Sequence, residues 1–143
     1  PNTTFDTIRG NIQTRLQKME QQGFDGVIFS LAGIKRMNWE VAYEVLDFIT
    51  PAPGQGVVAC TSLQNNEEIN EVLKKINDQE TEYCTQIERQ FLQTLEGGCS
   101  APIGAFVQKT EENLFEFSGG IVSLDGKKSL QIQEKMVGDR HRG

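Results

Sequence analysis

At Glu96-Gly97-Gly98-Cys99-Ser100-Ala101-Pro102 the apolar pattern of this chain changes its period. Before that point Tyr83, Ile87, Phe91 and Leu95 recur at the spacing of one helix face, on a helix opened by Asp78. After it Ile103, Ala105 and Val107 alternate, then Phe115 and Phe117, then Leu130, Ile132 and Met136. Gly97 and Gly98 suit the left-handed turn that ends a helix, and Pro102 blocks any continuation. Leu124-Asp125-Gly126-Lys127 reads as the turn between the last two strands. A long helix followed by three antiparallel strands predicts an α+β unit. Cys99 falls on the short loop between them, with little side-chain bulk beside it. A thiol there is a candidate nucleophile or attachment point. The competing reading is a small buried residue plugging the loop, and the loop taken alone favours the plug.

The first half is organised differently. Thr7–Arg9 reads as the end of a short strand, and Asn11 as the N-cap of a helix carrying Ile12, Leu16 and Met19, closed by Gly23. Gly26-Val27-Ile28-Phe29-Ser30-Leu31 is a continuous apolar run, the signature of a strand buried in a parallel sheet. Residues 32–37 read as a tight turn into a helical piece. Trp39, Ala42, Tyr43, Leu46 and Ile49 then line a further helix, stopped before Pro51. Strand, helix, strand, helix is half of an α/β unit, too short to cover both faces of its own sheet. Pro51-Ala52-Pro53-Gly54-Gln55-Gly56 reads as a linker, residues 57–61 as a strand, and Ile69, Val72, Leu73 and Ile76 as a helical stripe.

Charge and composition exclude several function classes. The net charge of -6 gives no footprint for nucleic acid. Three cysteines (Cys60, Cys84, Cys99) and a single histidine, His141, give neither a disulfide framework nor metal-ligand spacing. No metal is expected, and a reducing, cytoplasmic setting fits best. Cys60 and Cys84 read as core residues. No apolar stretch is long enough to cross a membrane, which predicts a soluble protein. The chain starts at Pro1 without an initiator methionine and stops just after a strand pattern, so it is expected to be a piece of a longer protein.

Basic residues matter here by position. Arg9 falls at the carboxyl end of a strand beside a helix N-terminus, where α/β sheets bind ligands. Arg15 lies on or beside the inward stripe of that helix, and Arg36 follows the run 26–31 by one short turn. With the two strands parallel and adjacent, three guanidinium groups converge on one crevice, an arrangement suited to a small polyanion through bidentate carboxylate contacts. The competing reading has each arginine snorkelling past apolar neighbours or paired with one of the 20 acidic side chains. Gln55, between two glycines, could offer its side-chain amide to a ligand, although Gly-x-Gly is more often just a hinge.

Taken together, these segments resemble a known family. Ile8-Arg9-Gly10-Asn11-Ile12-Gln13-Thr14-Arg15-Leu16 resembles the domain 2 signature of the porphobilinogen deaminases, also called hydroxymethylbilane synthases. Leu31-Ala32-Gly33-Ile34-Lys35-Arg36 resembles the next motif, and 51–56 the one after it. Glu88-Arg89 through Leu95-Glu96-Gly97-Gly98-Cys99-Ser100-Ala101-Pro102-Ile103-Gly104 resembles the cofactor-attachment region. The four motifs stand in the family's order.

The resemblance implies a dipyrromethane cofactor, built from two porphobilinogen units and thioether-linked to Cys99. It implies addition of four more porphobilinogen units with loss of ammonia, and release of hydroxymethylbilane. Every ring carries an acetate and a propionate, so the resemblance assigns Arg9, Arg15 and Arg36 to carboxylate binding and makes Asn11, Ala32, Gly33 and Gln55 possible further contacts. By the same resemblance, residues 1–53 are the end of a periplasmic-binding-protein-like α/β domain 2. Residues 54–77 return toward domain 1, and 78–143 form most of domain 3. The family's catalytic aspartate belongs to a His-Ser-x-Lys-Asp type motif that these residues lack. It is expected upstream, in a missing N-terminal part, and the 143 residues alone are expected to be inactive, to carry no cofactor and to self-associate, whereas the parent is expected to be a monomer. A rival reading is a non-catalytic binding or regulatory module on the same scaffold. A thiol hydrolase using Cys99 would need a histidine within reach, and His141 in a terminal tail serves poorly.

Overall fold

The alternating run after residue 102 builds the best-defined part of the molecule. In the computed structural model, which describes residues 3–96 and 101–138, β1 (Ile103–Glu111), β2 (Leu114–Val122) and β3 (Ser129–Val137) form an antiparallel sheet in the order β1-β2-β3. Val107 stands opposite Phe117, and Phe117 opposite Glu134. Both turns follow from local chemistry. Asn113 takes φ 61° between β1 and β2. Between β2 and β3 the Asp125 carboxylate accepts from the Ser123 hydroxyl and the Lys127 amide, and Gly126 takes φ 69°.

One helix covers this sheet. It is the last of four among the described residues, α1 (Ile12–Gln22), α2 (Leu31–Arg36), α3 (Glu67–Ile76) and α4 (Gln79–Glu96). Tyr83, Cys84, Ile87 and Phe91 of α4 pack on the buried Ala105, Val107, Phe115 and Phe117. Two ring pairs lock the contact, Tyr83–Phe115 at 4.9 Å and Phe91–Phe117 at 5.0 Å between centroids. The cover is partial. Alternation puts Leu130 and Ile132 on the same face as Ala105, yet they are 75% and 45% exposed.

The chain divides into two compact units, residues 1–45 and 46–143. In the second, the stretch before the sheet is tied to it: the Ala105 amide donates to the Pro51 carbonyl at 2.9 Å, and a Cβ on Gly104 would stand 2.8 Å from the Thr50 carbonyl oxygen. In the first unit, Asn11 caps α1 as expected, its side-chain oxygen accepting from the Thr14 amide at 2.8 Å, and Gly23 closes that helix at φ 70°. Ile12 of α1 reaches α2, since a Cβ on Gly33 would meet its Cδ1 at 2.9 Å.

The mixed α/β class holds, while several expected elements do not form. No strand appears among the described residues at 7–9, 26–31 or 57–61, and Trp39–Ile49 is not helical. Parallel-sheet strands take their hydrogen bonds from distant partners, and these segments find none among the described residues. The helix fails for a local reason. Asn38 takes φ 48° and the Trp39 amide donates back to the Ile34 carbonyl, a left-handed stop that ends α2 and releases the chain extended. Trp39, Val41, Tyr43 and Val45 also alternate, so the apolar residues there fit an extended chain as well as a helix. Cys60, expected in the core, is exposed, and its segment joins no sheet among the described residues.

Candidate functional site

In the first unit the strongest feature is Arg15. Its position on α1 carries the guanidinium over the ring of Phe29, 4.6 Å from the centroid. Its Nε is buried and has no hydrogen-bond partner among the described residues. A buried donor left without an acceptor is costly, and strain, a water, an ion or a ligand can account for it. Arg9 and Arg36 are exposed. Both ion pairs among the described residues, Lys74–Glu71 and Lys109–Glu80, leave all three arginines out. Among the described residues, then, no acidic side chain pairs with any of the three, while Arg15 packs on the apolar ring of Phe29.

The other expected contacts are distributed. Asn11 spends its side-chain oxygen on the cap, accepting from both the amide and the hydroxyl of Thr14. The Arg9 carbonyl accepts from Lys18 Nζ at 3.0 Å, which ties the chain before α1 to the helix. Ala32 and Gly33 lie in the first turn of α2, with Gly33 facing Ile12. Gln55 belongs to the second unit, on an exposed turn between Gly54 (φ 69°) and Gly56 (φ 85°). Those angles account for both glycines. Cys99 and His141 lie outside the described residues.

Two groups escaped the reading of the sequence. Phe29 counted only as part of an apolar run, and nothing local announces that its ring underlies Arg15. Glu88 is the other, a carboxylate only 6% exposed. One of its oxygens accepts from the Gly54 amide at 2.7 Å and the other from the Val107 amide at 2.8 Å. A signal was available, since Cys84, Glu88, Phe91 and Leu95 share one helical stripe and an acid on such a stripe needs buried partners. Glu88 lines a groove of about 320 Å³ together with Pro51, Gln55, Cys84 and Lys109. The Cys84 thiol is pushed above its ordinary range by burial first and then by Glu80 and Glu88. It stays protonated near neutrality and is no nucleophile.

Two family models divide most of the chain between them. Residues 1–71 match "Porphobilinogen deaminase, dipyromethane cofactor binding domain", and residues 82–142 match "Porphobilinogen deaminase, C-terminal domain". The chain belongs to the porphobilinogen deaminase family. A porphobilinogen deaminase of Staphylococcus epidermidis is 36% identical over 135 residues, 92% of this chain and 44% of that protein. One of Bacillus cereus is 39% identical over 142 residues, 96% of this chain and 45% of that protein. The chain thus spans under half the length of these relatives. Arg9, Arg15, Arg36 and Gln55 fall in the stretch matched to the cofactor-binding domain, and Cys99 in the stretch matched to the C-terminal domain. No helix among the described residues is long and apolar enough to cross a membrane.

Proposed function

We propose that this chain is the part of a porphobilinogen deaminase that holds the growing pyrrole chain: Cys99 carries the dipyrromethane by a thioether, and Arg9, Arg15 and Arg36 bind ring carboxylates. The observation that carries this reading is Arg15, with its Nε buried, unpartnered and backed by Phe29. A ring acetate or propionate supplies the acceptor that this donor lacks, and a guanidinium takes it in two parallel hydrogen bonds. The ring beneath restricts the side chain before the ligand arrives, so less freedom is lost on binding. Asn11, Ala32, Gly33 and Gln55 are the further contacts proposed.

The dipyrromethane primes a chain that four porphobilinogen units extend with loss of ammonia, and hydroxymethylbilane is then released. The protein's part is orientation. Carboxylates on every ring give the arginines the same handle at each addition, so successive units can be placed alike. Departure of ammonia needs a positioned acid, which we assign to an aspartate outside these 143 residues, in a His-Ser-x-Lys-Asp type motif. The 143 residues alone are then inactive.

The test uses the full-length protein. Arg15→Leu is expected to raise KM for porphobilinogen, or to block cofactor assembly, by about ten- to a hundredfold, the worth of one charged hydrogen bond. Thermal stability should hold or rise, because a buried unpaired donor is removed. Unchanged KM with a large loss of stability would mean that Arg15 is structural.

A further inference from the structure

We infer that Glu88 is a positioning residue: its carboxylate clips the Pro51–Gly56 loop to β1, and through that loop it sets where Gln55 stands. This rests on the reading in which Gln55 contacts the ring chain. Glu88 is buried, and no ion pair among the described residues involves it. Two backbone amides compensate its charge instead, one from the loop and one from the strand. A buried carboxylate is retained at such a place only while both acceptors are used.

The loop has its own turn bonds, Gln55 amide to Ala52 carbonyl and Val57 amide to Gly54 carbonyl, at 3.1 and 3.2 Å. These shape it without fixing it to anything. Two bonds dock it: the Ala105 amide on the Pro51 carbonyl at its start, and Gly54 on Glu88 at its tip. Gln55 directly follows Gly54, so a loosened Gly54 moves Gln55. The clip is mounted on α4, whose chain continues past Glu96 toward Cys99. The helix that anchors the loop bearing Gln55 is thus also the one that precedes Cys99 in sequence.

Glu88→Gln isolates the device, because an amide side chain accepts from one backbone N–H and presents its own donors to the other. In the 143-residue chain, exchange of the Gly54 or Val107 amide should quicken about tenfold or more, while amides in the middle of α4 keep their protection. In the full-length protein, Glu88→Gln and Gln55→Ala should each raise KM for porphobilinogen by about tenfold with kcat changed much less. The double variant should be no worse than the poorer single one, as expected of residues acting in series. Glu88→Asp, which keeps the charge but falls a methylene short, should lie between wild type and Glu88→Gln, and it carries the same test if Glu88→Gln does not fold. Multiplying KM effects, unaltered exchange at both amides, or a Gln55→Ala variant with normal KM would each overturn the proposal. Failure of the underlying functional reading looks different: no turnover by the wild-type full-length protein, or normal KM in Arg15→Leu.

Discussion

Under the proposed reading, Arg15 is a side chain that is costly to the fold and useful to the site. Its buried, unpartnered Nε opposes stability, while the Phe29 ring beneath it offsets part of that cost. Replacing Phe29 by Leu in the full-length protein should therefore weaken binding of the anionic rings by a few-fold, and a Phe29→Leu/Arg15→Leu pair should fall short of the two single effects combined. Substrate titrations on the four proteins decide it, and full additivity would show that the ring does not support the guanidinium. Glycines give sharper structural predictions. Gly104→Ala would set a Cβ 2.8 Å from the Thr50 carbonyl oxygen, a backbone atom that cannot step aside, and should cost about 1–3 kcal/mol in thermal or denaturant unfolding. Gly33→Ala meets only the flexible end of Ile12, so its cost should be smaller, and Ile12→Val in the same chain should relieve most of it.

At the scale of elements, three of the helices open on an Asx side chain that accepts from the amide three residues on: Asn11 to Thr14, Asn66 to Ile69 and Asp78 to Thr81. Such caps are legible in sequence because their chemistry is local. The stripe Tyr83, Ile87, Phe91 and the alternation of Ala105 and Val107 were legible for the same reason, and the structure puts them against one another. The segments 7–9, 26–31 and 57–61 were misread because a strand is decided by its neighbour, which no local pattern contains. Trp39–Ile49 was misread because the left-handed Asn38 outweighs the spacing of the apolar residues after it. Within the candidate site, the sequence singles out Arg9 and Arg36 by their places near element ends and Arg15 by the helix stripe it borders, and their role there is the one proposed. Nothing local announces Phe29, whose partner Arg15 lies 14 positions away, and Glu88 is announced only by its place on an apolar helix stripe, since the amides it binds are more distant still. The caps also predict a pH response. The Asp78 carboxyl is held below its ordinary value by the Thr81 amide and then the Thr81 hydroxyl. Its contribution is present above the unfolded aspartate pKa and is lost as pH falls through the depressed folded one. Asp78→Ala should accordingly lower thermal stability near neutrality, with the gap to wild type closing as the pH falls below the ordinary aspartate range. A gap that stayed constant over that range would remove the cap from the account.

At the scale of the molecule, the second unit has a core of side chains from α4 and two strands, while Leu130 and Ile132 remain exposed on the same sheet face. Apolar area of this kind favours association, so light scattering on the 143-residue chain should show dimers or larger species, and a monomer at high concentration would contradict that. On the proposal that the positioned acid lies outside it, the same chain should form no hydroxymethylbilane from porphobilinogen. The central claim, that Cys99 carries the growing chain, is met most directly by intact-mass measurement of the full-length protein beside its Cys99→Ser variant. The account predicts a mass increment equal to the thioether-bound dipyrromethane on the wild type and none on the variant. An increment retained by Cys99→Ser would contradict it.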